Sequence, residues 1–239
     1  MGPTKEKNIR TTKKGKSRHA RRTRATRLKL LNAARQIFAE KGFDTATIDD
    51  ITERADVGKG TFYYYFPDKQ DVIGELIDGM MSDLIGVIEK RCEGTRELPD
   101  LIDTIVKVHI DFFSSRWDDF VLYFQGRADL QLVESYSGIE MPFLRYLESI
   151  EKLVDSVIDY RLPSSLLRRF GCAVAGFVSG YYSFAVISSV NEDVDKSLMN
   201  MRGAFVSSLT RFINEALSAD GARRLSEEAS EENEGKLPG

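Results

Sequence analysis

Residues 47–66, TIDDITERADVGKGTFYYYF, decide how this chain folds. Thr47 and Asp50 stand at the spacing of a helix capping box, in which each side chain accepts from the other residue's backbone N–H. Ile48, Ile51, Thr52 and Ala55 then share one helical face, and Asp49, Glu53 and Arg54 the opposite one. Asp56-Val57-Gly58 breaks that helix. Gly58 is expected to take the positive φ of a tight turn, and Val57 to plug the core beneath it. A second helix opens at Lys59. Within it Phe62 and Phe66 share a face, with Gly60, Tyr63 and Tyr64 roughly opposite and Lys59 and Thr61 on the flanks. Tyr65 lies near Phe62 and is expected to be half-buried. Pro67 ends the helix, because the residue before a proline is pushed out of helical angles.

The phenylalanines therefore go in, and a Lys/Gly/Thr/Tyr set goes out. Exposed aromatics beside a lysine and a threonine, with no carboxylate among them, suit contact with phosphates and base edges. Gly60, without a side chain, lets the start of the helix come close to a groove. Two helices and a turn are also simply a compact way to pack, and Ile48, Ile51, Val57, Phe62 and Phe66 read as core and nothing more.

The flanks carry the pattern further. LNAARQIFAEKGFDTATI leads into it and FPDKQDVIGEL follows, with Ala33, Phe38, Gly42, Phe43, Thr47, Ile51, Ala55, Val57, Gly60, Tyr63, Phe66 and Lys69 at matching positions. On these residues, positions 28–76 resemble the DNA-binding segment of the tetracycline-repressor (TetR) family of bacterial transcriptional regulators. The resemblance implies an all-α homodimer. A three-helix helix-turn-helix head would bind double-stranded DNA, and a larger, variable helical body would bind a small effector that releases a repressor from a palindromic operator. The DNA-facing set is then Thr47, Lys59, Gly60, Thr61, Tyr63, Tyr64 and Lys69, the last on a phosphate.

A net charge of −3 and a pI near 5.6 alone argue against a nucleic-acid binder. The charge is divided, however. Residues 1–29 hold twelve of the 34 lysines and arginines and only one of the 37 acids, Glu6. A basic arm ahead of an acidic body is the footprint of a protein that meets DNA at one end. The arm has almost no large apolar residue, so residues 1–24 are expected to be disordered when free and to touch phosphates or a minor groove. No apolar run follows these charges as a targeting peptide would require.

Residues 25–68 read as the head and 69–218 as the body, with an acidic, apolar-poor tail at 219–239 expected to be disordered. A long helix from residue 68 to about 91 joins head to body and is read as the only covalent route between them. Further helices are expected at about 99–116, 120–125, 142–160, 163–189 and 194–217. Asp118 and Asp119, adjacent in sequence, do not converge on a helix and read as a cap. The nineteen residues 172–190 carry no charge. Their serines and tyrosines, and a stripe of small residues including Gly176, Gly180 and Ser183, mark a buried interface helix rather than a membrane span. The resemblance implies a four-helix dimer interface from the last two helices, with Phe205, Leu209 and Phe212 among its contacts.

Phe112, Phe120, Tyr123, Phe124, Phe143, Phe177 and Tyr181 form an aromatic set that could line a cavity for an apolar effector, or could be packing. Residues 123–136, YFQGRADLQLVESY, resemble the fatty-acid-responsive subgroup, which implies a long-chain acyl thioester whose anionic head group meets Arg127. His109, in an apolar helix, reads as a core or pocket residue. Cys92 and Cys172 read as small buried hydrophobes of a reducing cytoplasm. No cluster has metal-ligand spacing, no cofactor is implied, and no nucleophile or phosphate-loop motif is present. A DNA-binding dimer without a ligand and an enzyme of unrecognised class remain as alternatives.

Overall fold

The computed structural model describes residues 6–129, 140–158, 164–188, 196, 200–212, 214–215 and 218–219. Among them all regular structure is helical: α1 (Glu6–Lys41), α2 (Ile48–Arg54), α3 (Lys59–Tyr65), α4 (Lys69–Cys92), α5 (Leu98–Ser114), α6 (Trp117–Asp129), α7 (Glu140–Asp155), α8 (Ser164–Ser188) and α9 (200–212). The acidic tail expected from residue 219 lies almost wholly outside the described residues.

The chain divides into two compact units. One is Met1–Met80 with Trp117–Ile139, the other Met81–Arg116 with Glu140–Gly239. The boundary expected at residue 68 therefore falls inside the N-terminal unit, which ends within α4, and α6, expected in the body, belongs to that unit as well. The chain passes between the units more than once, so α4 is not the only covalent route between them. The reason is a pair 84 positions apart that no local pattern announces. Asp119, in the first turn of α6, is buried and meets Arg35 of α1 at 3.0 Å, in ion-pair contact without the alignment of a hydrogen bond. The carboxylate expected as a cap is thus part of the α1–α6 interface.

The N-terminal unit is built on the C-terminal third of α1. Leu30, Ala33, Ala34, Ile37 and Phe38 are buried there with Ile51, Phe62, Phe66 and Val72. Arg27 forms a bidentate ion pair with Glu75 of α4, and its guanidinium lies 4.8 Å from the centre of the Phe66 ring. Residues 6–24 correct the expected disordered arm: they continue α1 as helix. Lysine and arginine are good helix formers, and extending a helix already nucleated by packing costs little.

In the C-terminal unit, α5 buries Leu101, Ile102, Ile105, Val106, Val108, His109, Phe112 and Phe113. Pro142 does sit in the first turn of α7, but that helix stops at Asp155, short of the expected residue 160. α7 and α8 approach closely at Gly171, where a Cβ would lie 3.0 Å from Leu147 Cδ2. Ser149 of α7 donates to Glu89 of α4 at 2.9 Å, and Arg202 of α9 meets Asp103 of α5 at 2.9 Å.

His109 is the polar centre of this unit, only 1% exposed. Its Nδ1 is 2.7 Å from the Ile105 carbonyl oxygen, which can only accept, so Nδ1 carries the proton. Nε2 then accepts from the Tyr146 hydroxyl at 2.9 Å. Burial pushes the imidazole down to about 4, although the Ile105 carbonyl favours the charged form. An unfolded histidine titrates near ~6.5. Between those values the unfolded chain binds a proton that the folded one refuses, so stability is intact above ~6.5 and falls as pH drops toward 4. The expected loss is about 3 kcal/mol by pH 4. Urea melts of wild type and His109→Leu from pH 7 to 4 check it; parallel curves would rule out this histidine as the source.

Candidate nucleic-acid interface

The turn between α2 and α3 presents the exposed set as expected, by a different backbone route. Thr47 is the N-cap of α2: its hydroxyl accepts from Asp50 N–H at 3.1 Å, and Asp50 Oδ2 accepts from Thr47 N–H at 3.0 Å. The Lys41 ammonium, then the Thr47 hydroxyl and amide, hold the Asp50 carboxyl down at about 2. Ile51, Thr52 and Ala55 are buried, Ile48 is half-buried, and Asp49, Glu53 and Arg54 are exposed. The positive φ belongs to Asp56 (φ 51) and not to Gly58, which is extended (φ −77, ψ 155) and serves as the N-cap of α3. An aspartate tolerates the left-handed region better than most residues, so the turn closes earlier than the glycine suggested. Val57 is half-buried.

In α3, Phe62 and Phe66 are buried, while Tyr63 is 56% and Tyr64 71% exposed. Tyr63 rests edge-on against Phe62 and Tyr64 against Tyr65, which is half-buried. These ring contacts orient two large side chains without covering them. Lys59 and Gly60 are exposed, Thr61 is half-buried, and a Cβ at Gly60 would have nothing within 4 Å. Lys59 Nζ meets Asp49 Oδ1 at 2.7 Å, with side chains 60% and 63% exposed. An ion pair so exposed is worth roughly 0–1 kcal/mol, so Lys59 can exchange it for another anion at little cost.

Lys69 departs from expectation. Its ammonium donates to the carbonyl oxygens of Phe43 at 2.5 Å, Ala46 at 2.9 Å and Asp44 at 3.4 Å, and lies 4.5 Å from the centre of the Phe43 ring. All three N–H donors are thereby used inside the protein. Through these bonds Lys69 ties down the α1–α2 loop that delivers Thr47. The loop's unpaired carbonyls, which draw the lysine inward, leave no mark on sequence periodicity.

The described residues of the expected effector set fall in both units. Phe120 and Tyr123 are buried in the N-terminal unit, and Phe112, Phe143 and Phe177 lie in the other. Phe112 packs edge-on against Phe113, with the Arg116 guanidinium 4.5 Å from its ring, and Phe177 stacks on Phe205. The side chains of Phe124, Arg127 and Tyr181 lie outside the described residues, as do positions 130–139 of the segment read as acyl-responsive.

Of the expected dimer contacts, Phe205 and Leu209 are buried within this chain. Gly180 and Phe212 are exposed, Gly176 is half-buried, and the Ser183 side chain is outside the described residues. Cys92 is buried, and burial pushes its thiol up to about 11, but Cys172 is exposed rather than buried as expected. No group of metal-ligating side chains occurs among the described residues, and no described helix is long and apolar enough to cross a membrane.

Residues 30–76, the segment containing these features, match the family model "Bacterial regulatory proteins, tetR family". The chain is 30% identical over 122 residues to the uncharacterized HTH-type transcriptional regulator YvdT of Bacillus subtilis (strain 168), covering 51% of this chain and 63% of that protein. It is 30% identical over 91 residues to the HTH-type transcriptional regulator UidR of Escherichia coli (strain K12), covering 38% and 46%. The chain thus spans less than two thirds of the length of these curated relatives. Its fold is similar to the transcriptional regulator FadR of Bacillus subtilis in complex with stearoyl-CoA, with a TM-score of 0.64 at 17% identity over 76% of this chain and 96% of that one. AibR in complex with isovaleryl coenzyme A and operator DNA gives 0.60 at 12% identity, over 77% and 97%. The capping box, the turn and the exposed face of α3 all lie within the segment that matches the tetR family model.

Proposed function

We propose that this chain is a transcriptional regulator that binds double-stranded DNA as a homodimer and changes its affinity when a small apolar molecule binds. The observation that carries the reading is the outward face of α3. Lys59, Gly60, Thr61, Tyr63 and Tyr64 stand opposite the buried Phe62 and Phe66, with Lys59 in an ion pair it can trade for a phosphate. A twofold dimer would pair two such helices on a palindrome, with half-sites one or more helical turns apart. Met201 and Phe212 of α9 and Gly180 of α8 are exposed, which supports their use against a partner.

Binding should be tested with a duplex that the protein itself enriches from random sequence. Tyr63→Ala and Lys59→Ala are each expected to weaken that duplex about 10-fold or more, at roughly 1–3 kcal/mol per good base contact, with unchanged melting temperature. Wild-type affinity in both variants would remove α3 from the interface.

Acyl-coenzyme A thioesters are the effectors to try first, because two proteins of similar fold are described in complex with them. A thermal-shift series with acyl chains of increasing length, repeated as DNA release, tests the class. A ligand acts only through a difference in affinity between two states. The burial of Phe112, Phe120 and Tyr123 as ordinary core gives a specific footing to the second reading, a DNA-binding dimer without a ligand. Neither stabilisation nor release by any thioester would favour it.

A further inference from the structure

We infer that the N-terminal extension of α1 is a second DNA-binding element, a basic helix that supplies most of the attraction for phosphate. This rests on the proposed DNA-binding function and adds where its electrostatic affinity resides.

The matched head cannot supply that attraction. Residues 30–76 hold five lysines and arginines against nine carboxylates. Each of the five is committed: Arg35 to Asp119 at 3.0 Å, Lys41 to Asp50 at 2.6 Å, Arg54 to Glu40 at 2.7 Å, Lys59 to Asp49 at 2.7 Å, and Lys69 to three carbonyls. Surface pairs break cheaply. Yet each of the four cations paired with a carboxylate uncovers that carboxylate beside the same polyanion when it leaves for a phosphate, and Lys69 would have to give up three carbonyls. The net repulsion of the head therefore persists.

The extension is the opposite. Between residues 20 and 29 no side chain is buried. Arg21, Arg22, Arg24 and Lys29 are exposed and have no carboxylate partner among the described residues. Because the segment is helical from Glu6, its charges fall in register. At ~100° per residue, Lys7, Arg10, Lys14, Arg18, Arg21, Arg22 and Lys29 occupy an arc of about 120° that contains no acid. At ~1.5 Å per residue the stripe is about 33 Å long, close to one helical turn of DNA. Lys13, Lys16, Arg24 and Arg27 lie off it, and Arg27 is held by Glu75. A basic stripe of this length tracks phosphates without reading bases, and each phosphate it neutralises releases counterions.

The test uses the full chain and a random-sequence duplex of about 40 base pairs, with affinity measured by fluorescence anisotropy from 50 to 200 mM KCl. One variant carries Lys14→Gln, Arg18→Gln and Arg21→Gln, on the stripe. The other carries Lys13→Gln, Lys16→Gln and Arg24→Gln, off it. Both lose the same charge, and glutamine keeps helix propensity, which circular dichroism checks. The stripe variant should lower the slope of log affinity against log salt by about 2.7, at ~0.9 per phosphate. Wild type would then lose about 40-fold more affinity than this variant across that range. The off-stripe variant should change the slope by less than about 1. Equal changes in the two variants, or none in either, overturn the inference while leaving wild-type duplex binding intact. If wild type binds vesicles of phosphatidylserine and phosphatidylcholine but no duplex of any sequence, the DNA-binding function fails with it.

Discussion

Gly60→Leu should leave the protein folded and at least as stable, while its affinity for a selected duplex falls about 100-fold or more. The two halves of this result have separate causes. Gly60 is exposed, and a Cβ there meets nothing within 4 Å, so a larger side chain has room in the free protein. Within α3 it also replaces the residue that costs a helix most after proline, a gain of roughly 0.5–1 kcal/mol. Against DNA the same side chain holds the start of α3 away from the groove. Two neighbouring base contacts, at ~1–3 kcal/mol each, account for the expected fall. Thermal melting and duplex binding, measured on the same preparation, check it. An unchanged affinity would mean that the N-terminal turn of α3 does not approach DNA.

Lys69→Met should cost about 2–4 kcal/mol of stability and leave the salt dependence of DNA binding unchanged. The ammonium is half-buried and joins three carbonyl oxygens of the α1–α2 loop. A hydrogen bond to a charged group contributes roughly 1.5–3 kcal/mol, and the freed carbonyls recover part of that from water. A lysine acting on a phosphate predicts the reverse: unaltered melting, and a slope lower by ~0.9 for each phosphate no longer neutralised. Chemical denaturation and a salt titration of the same variant separate the two. Unchanged stability with a lowered slope would return Lys69 to the DNA.

Most of α2 and α3 is legible in the amino-acid sequence. The capping box of Thr47 and Asp50, the burial of Ile51, Phe62 and Phe66, the exposure of Tyr63 and Tyr64, and the stop at Pro67 follow from residues within four positions of one another. One local step is not legible. Gly58 and Asp56 both tolerate a positive φ, and composition does not say which of them the turn uses. The N-terminal extension escapes a reading by composition because apolar content forecasts packing, whereas a helix already anchored at Leu30, Ala34 and Phe38 can continue without it.

The sequence by itself determined the all-helical class, the sites of helix start and stop around the α2–α3 turn, and which face of α3 is polar, because a 3.6-residue repeat and a cap are short-range facts. Tertiary structure alone decided where the long side chains go. Arg27 finds Glu75, 48 positions away, and the Tyr146 hydroxyl finds His109, 37 away. Lys69 turns inward to carbonyls 23 to 26 residues behind it, and Phe205 packs on Phe177 of its own chain. A charge or a ring has no preferred partner in sequence. It takes whichever complementary group the packed helices bring within reach, and that choice separates a phosphate ligand from a loop anchor.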